Sequence, residues 1–334
     1  MKKISIIGAG AWGTALTIVL QGSSAPHRVA LWVREKDVLG FLKNEGKNPV
    51  FLPGFTIPAG TEVTGDFGEA LSEADLVVFA VPTAHMRETC SAMLPFVTPT
   101  MAFASAAKGL ETKSLLRMTE VVEQTLGTKL RPRVAAISGP SFAKEVARGD
   151  PTAMVTASTD RQLASELQQE FSGPTLRLYT NDDVIGVEMG GALKNVIAIA
   201  AGVAEGLGLG HNTIAALITR GLTEMTRLGT AMGARRETLA GLSGMGDLVL
   251  TCTGDLSRNR TIGAELGRGK KLADILKPMR TVAEGIGTTA AAKTLGHKVG
   301  IEMPITEQMY AVLYEGRAPR DAIRELMERR LKPE

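Results

Sequence analysis

The stretch Lys3–Leu16, which reads KISIIGAGAWGTAL, decides the fold class of this chain. KISII is apolar and rich in β-branched residues, as in a buried strand, and AWGTAL continues into the apolar periodicity of a helix. Between them, Gly8–Gly13 has the spacing GxGxxG. A strand, a glycine turn and a helix in this order predict the first βαβ unit of a dinucleotide-binding fold.

Each glycine of this loop has a physical role in the prediction. Gly8 permits the tight turn, Gly10 lets the backbone approach a pyrophosphate, and Gly13 allows the helix to pack closely on the strand. The helix that starts at Ala11 and Trp12 would present free N–H groups and its positive dipole end to the phosphates. GxGxxG alone is weak, and a purely structural turn is the alternative, but the flanking elements favour a dinucleotide.

The same alternation of strands and helices continues to about residue 180. Nearly continuous apolar runs predict buried parallel strands at four further places: RVALWV (28–33), ADLVVFAVP (74–82), TMAFASAA (100–107) and RVAAISG (133–139). From about 184 to 330, helical periodicity replaces these runs. We therefore expect an α/β fold, with a doubly wound parallel Rossmann sheet in residues 1–185 and an all-α domain in residues 186–334.

Composition argues against several classes of protein. A net charge of +3 and 4% aromatic residues give little support for nucleic-acid binding. Two cysteines form no disulfide framework, and the four histidines show no metal-ligand spacing. No uncharged apolar run reaches the roughly 18 residues of a spanning helix. We expect a cytoplasmic protein without a metal, a membrane span or a nucleic-acid partner.

The residues after the second strand bear on the choice of cofactor. An acidic residue there would bind a ribose 2′-hydroxyl and favour NAD(H), but this chain has Val33 and then Arg34. A guanidinium can pair with a 2′-phosphate, so NADP(H) is preferred. The alternative is a solvated arginine at a helix start, and the neighbouring Glu35 leaves NAD(H) open.

Lys194 lies in GALKNVIAIAAG, a stretch that otherwise reads as a buried apolar helix. Its neighbours at helical spacing are small or apolar, which directs the amine toward packing rather than bulk water. A lysine in such surroundings is a candidate general acid or base. The alternative is a side chain that extends along the apolar surface to reach solvent.

Two further segments follow predicted strands. Lys108 comes after TMAFASAA, and the carboxyl ends of strands line the ligand crevice of an open α/β sheet. In SGPSFAKEVARG, Ser141 is a candidate N-cap, with the amides of Phe142 and Ala143 pointing outward. A surface loop lysine and a serine that only caps a helix are the alternatives.

The densest group of chemical residues lies in GLSGMGDLVLTCTGDLSRNRTIG, residues 241–263. Asp247 follows three glycines that could bring the backbone close to another segment. Ser257-Arg258-Asn259-Arg260 then opens a helix, where hydroxyl, guanidinium and backbone donors suit a phosphate monoester. The alternative is a capped surface helix with basic residues.

Several segments together resemble the bacterial NAD(P)-dependent glycerol-3-phosphate dehydrogenases, in order and over nearly the whole chain. They are IIGAGAWGTAL, NPVFLPG, ASAAKGLE, ISGPSFAKEV, GGALKNVIAIAAG, GLSGMGDLVLTC, SRNR, VAEG and EMPITEQMYAVLYEG. The resemblance implies hydride transfer between a nicotinamide and C2 of dihydroxyacetone phosphate, giving sn-glycerol 3-phosphate for phospholipid synthesis. It also implies a homodimer.

The resemblance also assigns roles to individual residues. Lys194 would be the catalytic acid and base, oriented by Asp247 and Asn195 or a water that they hold. Substrate would be bound by Lys194 together with Lys108, Gly139, Ser141, Asp247, Ser257, Arg258 and Asn259. The cofactor would be bound by Gly8, Gly10, Ala11, Trp12, Gly13, Arg34, Lys108, Ala143, Arg258, Val282 and Glu284.

Two rival functions remain on the sequence alone. One is a dehydrogenase of similar build, such as a ketopantoate reductase or a 3-hydroxyacid dehydrogenase, whose substrate carries a carboxylate in place of the phosphate. The other is a nicotinamide-binding sensor without turnover, which would need neither Lys194 nor the SRNR segment.

Overall fold

The computed structural model describes residues 1–23 and 27–330. The chain divides into two compact units. The first contains Met1–Lys108 and Leu116–Glu188, and the second contains Gly109–Leu115 and the chain from Met189 onward.

The first unit is built on an eight-stranded sheet with the order β10-β9-β8-β7-β6-β1-β2-β5. All neighbouring pairs are parallel except β8 and β9, so β9 and β10 run against the other six strands. A second, two-stranded sheet joins β3 and β4. The strands are β1 Lys2–Ile7, β2 His27–Trp32, β3 Lys47–Asn48, β4 Leu52–Thr56, β5 Glu62–Thr64, β6 Leu76–Phe79, β7 Ala102–Ser105, β8 Arg133–Ser138, β9 Thr152–Ala157 and β10 Leu176–Asn181.

Both faces of this sheet are buried, which explains the continuous apolar runs in its strands. In β6, Leu76 and Val78 belong to one core cluster, while Val77 and Phe79 belong to the other. Successive side chains of a strand point to opposite faces, so helices must cover both sides. The helices are α1 Ala11–Gln21, α2 Lys36–Glu45, α3 Phe67–Leu71, α4 Met86–Met93, α5 Met118–Leu126, α6 Ala143–Arg148 and α7 Arg161–Phe171.

From Met189 onward, every regular element in the described part of the second unit is a helix. Its longest element, α8 Val184–Gly206, begins in the first unit and is buried along almost its whole length. The remaining helices are α9 His211–Ala231, α10 Arg236–Ala240, α11 Asp247–Thr253, α12 Arg258–Gly267, α13 Leu272–Leu276, α14 Glu284–Val299, α15 Pro304–Tyr314 and α16 Pro319–Met327. The predicted doubly wound sheet and all-α second half are confirmed, with one antiparallel strand pair that the sequence did not predict.

Helix α8 is long and apolar enough to cross a membrane by length and composition alone. However, 89% of its most apolar window is buried inside the protein. Such burial is typical of a core helix, which uses its apolar surface to pack against other helices.

Helices α8 and α12 cross with their backbones in contact. A Cβ atom placed on Gly202 would lie 2.0 Å from the carbonyl oxygen of Arg260, and one on Gly263 would lie 2.1 Å from that of Ile199. Contacts this short exclude any side chain larger than hydrogen. The crossing therefore fixes the start of α12 relative to the middle of α8.

Candidate active site

In the first unit, the glycine loop has the geometry that a bound pyrophosphate requires. Gly8 has φ +115°, and a Cβ on Gly13 would lie 1.9 Å from the carbonyl oxygen of Gly8. By contrast, nothing lies within 4 Å of the position that a Cβ on Gly10 would take. The first turn of α1 contains no acidic residue, and no side chain caps it. Open space beside uncapped N–H groups fits an anionic dinucleotide.

Trp12, one of the predicted cofactor residues, packs its ring against the core beneath this loop. Its Nε1 is buried and has no hydrogen-bond partner among the described residues. The indole is half-buried, and it stands beside Ala11 at the start of the helix.

The predicted ribose-side residue Arg34 follows β2 directly after the buried Val33. Its Nε and Nη2 both donate to Oε1 of Glu35, at 3.1 and 3.0 Å. Strand β2 pairs in parallel with β1, and Ile7 lies opposite Trp32. Arg34 and the glycine loop therefore follow neighbouring strands at the same edge of the sheet.

Lys108, Gly139 and Ser141 are brought together beyond the ends of β7 and β8. The Lys108 ammonium donates to the carbonyl oxygen of Gly139 at 2.7 Å and to Ser141 Oγ at 3.1 Å. The Ser141 hydroxyl in turn donates to the Gly139 carbonyl at 3.0 Å. Such a cluster can bind the oxygen atoms of a polyol or its phosphate, because the ammonium is a donor and the Ser141 hydroxyl can accept, or can donate once it turns from Gly139.

The prediction that Ser141 caps the following helix is wrong. Helix α6 begins at Ala143, its N-cap residue is Phe142, and that cap has no side-chain hydrogen bond. The Ser141 hydroxyl is instead committed to Gly139 and Lys108. Ser141 therefore does not cap α6 but belongs to a polar cluster with Lys108 and Gly139.

In the second unit, Lys194 lies on α8 with 6% of its surface exposed. Its ammonium is 2.5 Å from Oδ1 of Asp247 and donates to Thr251 Oγ1 at 2.8 Å. Asp247 is fully buried, so the amine and its counterion are both largely removed from water. The expectation that Lys194 points into packed protein is confirmed.

Thr251 is a site residue that the sequence reading did not identify. Its hydroxyl accepts from Lys194 and donates to the backbone oxygen of Asp247 at 2.6 Å. Asp247 and Thr251 lie four residues apart on α11, so the helix places both side chains on one face. The four-residue spacing between Asp247 and Thr251 is the sequence feature from which Thr251 could have been predicted.

The segment Ser257–Asn259 forms the start of α12, as predicted. Ser257 is the N-cap, and its Oγ accepts from the amide of Arg260 at 3.2 Å. The Arg258 side chain is partly solvent-exposed and forms no hydrogen bond or ion pair within residues 1–23 and 27–330. Desolvation by the surrounding protein lowers the pKa of the Arg258 guanidinium, and the Glu284 carboxylate opposes that shift. Arginine remains charged at neutral pH, so the guanidinium is available to an anion.

Asn259 links three helices through its side-chain amide. Its Nδ2 donates to Oδ1 of Asn195 at 2.9 Å, and its Oδ1 accepts from the amide of Gly285 at 3.1 Å. One N–H of the Asn259 amide is left over for a ligand. Gly285 follows Glu284, the first residue of α14, and the nearby Val282 is 40% exposed.

Among the described residues, no three His, Cys, Asp or Glu side chains are placed so that they could hold one metal ion. Both cysteines, Cys90 and Cys252, are buried and unpaired.

Comparison with models of known protein families shows to which family the chain belongs. Residues 3–164 match the model of the NAD-dependent glycerol-3-phosphate dehydrogenase N-terminus, and residues 183–324 match that of the C-terminus. The chain belongs to the NAD-dependent glycerol-3-phosphate dehydrogenase family. The resemblance seen in the sequence is therefore confirmed.

Individual relatives of the glycerol-3-phosphate dehydrogenase family cover the chain from end to end. Glycerol-3-phosphate dehydrogenase [NAD(P)+] of Koribacter versatilis is 56% identical over 98% of this chain and 98% of that protein. The crystal structure of glycerol-3-phosphate dehydrogenase from Coxiella burnetii has a TM-score of 0.93 and 41% identity, and covers 98% and 99% of the two chains. A ketopantoate reductase from Ralstonia eutropha has a TM-score of 0.60 at 19% identity, covering 96% and 99%, which shows a shared fold alone.

Proposed function

We propose that this chain interconverts dihydroxyacetone phosphate and sn-glycerol 3-phosphate with NAD(P)(H), and so supplies glycerol 3-phosphate for phospholipid synthesis. The observation that supports this most is the buried ammonium of Lys194, held at 2.5 Å from Asp247 and 2.8 Å from Thr251. Membership of the glycerol-3-phosphate dehydrogenase family supplies the reaction. The buried amine supplies an acid and base suited to it.

In this proposal Lys194 handles the proton of the reaction. When bound, the nicotinamide supplies or accepts the hydride at C2. As the ketone is reduced, negative charge grows on its oxygen, and the Lys194 ammonium stabilises that charge and donates the proton. In the reverse direction the amine takes the hydroxyl proton. Asp247 and Thr251 hold the amine in one orientation, so little reorganisation is needed during the reaction.

The start of α12 is proposed to bind the phosphate of the substrate. Ser257, Arg258 and Asn259 offer backbone N–H groups, an exposed guanidinium and one spare amide hydrogen. An anchor on the unreactive end orients the ketone, which converts binding energy into rate. Lys108, Gly139 and Ser141 are proposed as further substrate ligands, through the polar cluster that they form in the first unit.

The cofactor is proposed to bind at the glycine loop, with NADP(H) preferred and NAD(H) accepted. Open space at Gly10 supports the pyrophosphate position, and the exposed guanidinium of Arg34 supports a 2′-phosphate. The proposed cofactor ligands, taken from the family resemblance, are Gly8, Gly10, Ala11, Trp12, Gly13, Arg34, Lys108, Ala143, Arg258, Val282 and Glu284.

We further propose a division into a NAD(P)-binding Rossmann domain, residues 1–185, and an all-α substrate-binding domain, residues 186–334, with each domain also contributing ligands to the other's molecule. A cytoplasmic homodimer is proposed from the same resemblance.

Oxidation of NADPH by the purified chain tests the proposed function. We expect dihydroxyacetone phosphate to be reduced, while dihydroxyacetone and ketopantoate are turned over at least about 100-fold less efficiently, because they lack the phosphate. If dihydroxyacetone were reduced as efficiently as dihydroxyacetone phosphate, the proposed phosphate site would be refuted. A preference for ketopantoate would favour the rival function, a ketopantoate reductase. Tight NADPH binding without turnover of any ketone would favour a sensor.

A further inference from the structure

The Arg34 guanidinium already has a counterion in this structure. Two of its nitrogen atoms, Nε and Nη2, donate to a single oxygen of Glu35, and the two side chains are 57% and 27% exposed. A planar guanidinium that binds a carboxylate in this way uses the donors with which it would bind a phosphate. A 2′-phosphate and Glu35 therefore compete for the same donors of Arg34.

Hydrogen bonds fix the backbone around this pair, while the two side chains are partly exposed to solvent. The amide of Val33 donates to the Thr64 carbonyl at 2.8 Å, and the carbonyl of Glu35 accepts from Leu39 at 2.9 Å in the first turn of α2. Glu35 is the N-cap residue of α2, yet its carboxylate does not cap the helix. Its side chain is turned to Arg34 instead.

We propose that Glu35 sets the balance between NADPH and NADH in this enzyme by competing with the 2′-phosphate for Arg34. With NADP(H), the phosphate displaces the carboxylate from the guanidinium. With NAD(H), Glu35 keeps Arg34 neutralised and is available to accept from the ribose 2′-hydroxyl, as acidic residues after the second strand do. This inference rests on the proposed use of NAD(P)(H), and it makes Glu35 the residue that keeps NAD(H) usable.

Binding of two nucleotides that differ in the 2′-phosphate tests the inference without turnover. Calorimetry would measure the Kd of adenosine 2′,5′-bisphosphate and of adenosine 5′-monophosphate for the whole chain and for Glu35→Gln. We expect the ratio of the two Kd values to move about 1.5- to fivefold toward the bisphosphate, which corresponds to the roughly 0.2–1 kcal/mol of an exposed ion pair. The NADPH/NADH ratio of kcat/KM should move in the same direction.

Two controls separate competition for Arg34 from a general change in charge. Glu45→Gln removes the same charge from an exposed residue at the far end of α2, ten positions away, and should leave the ratio unchanged. In an Arg34→Ala background, Glu35→Gln should have a clearly smaller effect on the ratio, because no guanidinium remains to be released and only the contact with the ribose 2′-hydroxyl is lost. The inference would be overturned if Glu35→Gln alone left the ratio of the two Kd values unchanged. It would also be overturned if the ratio moved equally far with Glu45→Gln, or with Glu35→Gln in the Arg34→Ala background. Failure to reduce dihydroxyacetone phosphate would refute the proposed reaction but leave this binding result intact.

Discussion

Removing the Lys194 amine tests the chemistry most directly. Lys194→Ala deletes the group proposed to donate the proton, and loss of general acid–base catalysis lowers kcat by about 10²–10⁴, or roughly 2.7–5.4 kcal/mol of barrier. The same change leaves the fully buried Asp247 carboxylate without its cation. Breaking a buried ion pair in this way costs about 3–5 kcal/mol of folding free energy. Activity and stability should therefore fall together in this variant.

A double variant separates these two effects. In Lys194→Ala/Asp247→Ala no charge is stranded, so the free energy of unfolding should recover by about 1–4 kcal/mol relative to the single variant. Turnover should stay low, because the amine is still missing. The assays are urea unfolding, followed by circular dichroism, and steady-state oxidation of NADPH by saturating dihydroxyacetone phosphate.

Two results would refute this reasoning about Lys194. One is a Lys194→Ala variant that keeps more than about a tenth of normal kcat. A loss of less than tenfold is smaller than the loss expected when a general acid–base group is removed. The other is recovery of activity along with stability in the double variant. Either would make the Lys194–Asp247 pair a structural feature of α8 and α11.

Three further predictions follow from individual contacts. Arg258→Ala should lower kcat/KM for dihydroxyacetone phosphate about 10- to 150-fold at saturating NADPH, the worth of a hydrogen bond to a charged group, and should affect dihydroxyacetone much less; an equal loss on both ketones would contradict the phosphate role. Gly263→Ala would place a Cβ 2.1 Å from the Ile199 carbonyl oxygen and should cost about 1–3 kcal/mol in thermal unfolding, whereas Gly40→Ala, with nothing within 4 Å, should cost nothing. Burial raises the pKa of the Cys252 thiol to about 12, so alkylation of this thiol at pH 8 should be about 10³-fold slower in the native protein than after unfolding. Mass spectrometry would measure the rate, which should increase as the pH rises; fast labelling of the native protein would contradict the burial of Cys252.

Much of the fold could be predicted because the local signals agreed with one another. Strand β1, the glycine loop and α1 follow directly from KISIIGAGAWGTAL. The direction of β9 could not be predicted, because TAMVTA reads as a strand in either orientation and its neighbour is chosen by tertiary packing. The pairing of β9 with β8 in the antiparallel sense therefore appeared only in the structure.

The candidate site was partly predictable for similar reasons. The inward direction of Lys194 followed from helical spacing, but its distance to Asp247 depends on how α8 packs against α11. Ser141 was misjudged because a serine near a helix start usually caps it, whereas here the cluster with Lys108 competes for the hydroxyl. Local patterns describe one element at a time, and hydrogen bonds between elements require the folded chain.

The position of Lys194 within α8 has a consequence for the newly made chain. By hydropathy alone, residues 184–206 pass for a bilayer-spanning segment. Lys194 stands near the midpoint of that segment, where an ammonium adds about 2.5–3.5 kcal/mol to the free energy of insertion by a translocon. The side chain proposed to move the proton thus also discourages this long apolar helix from partitioning into lipid before the protein has folded.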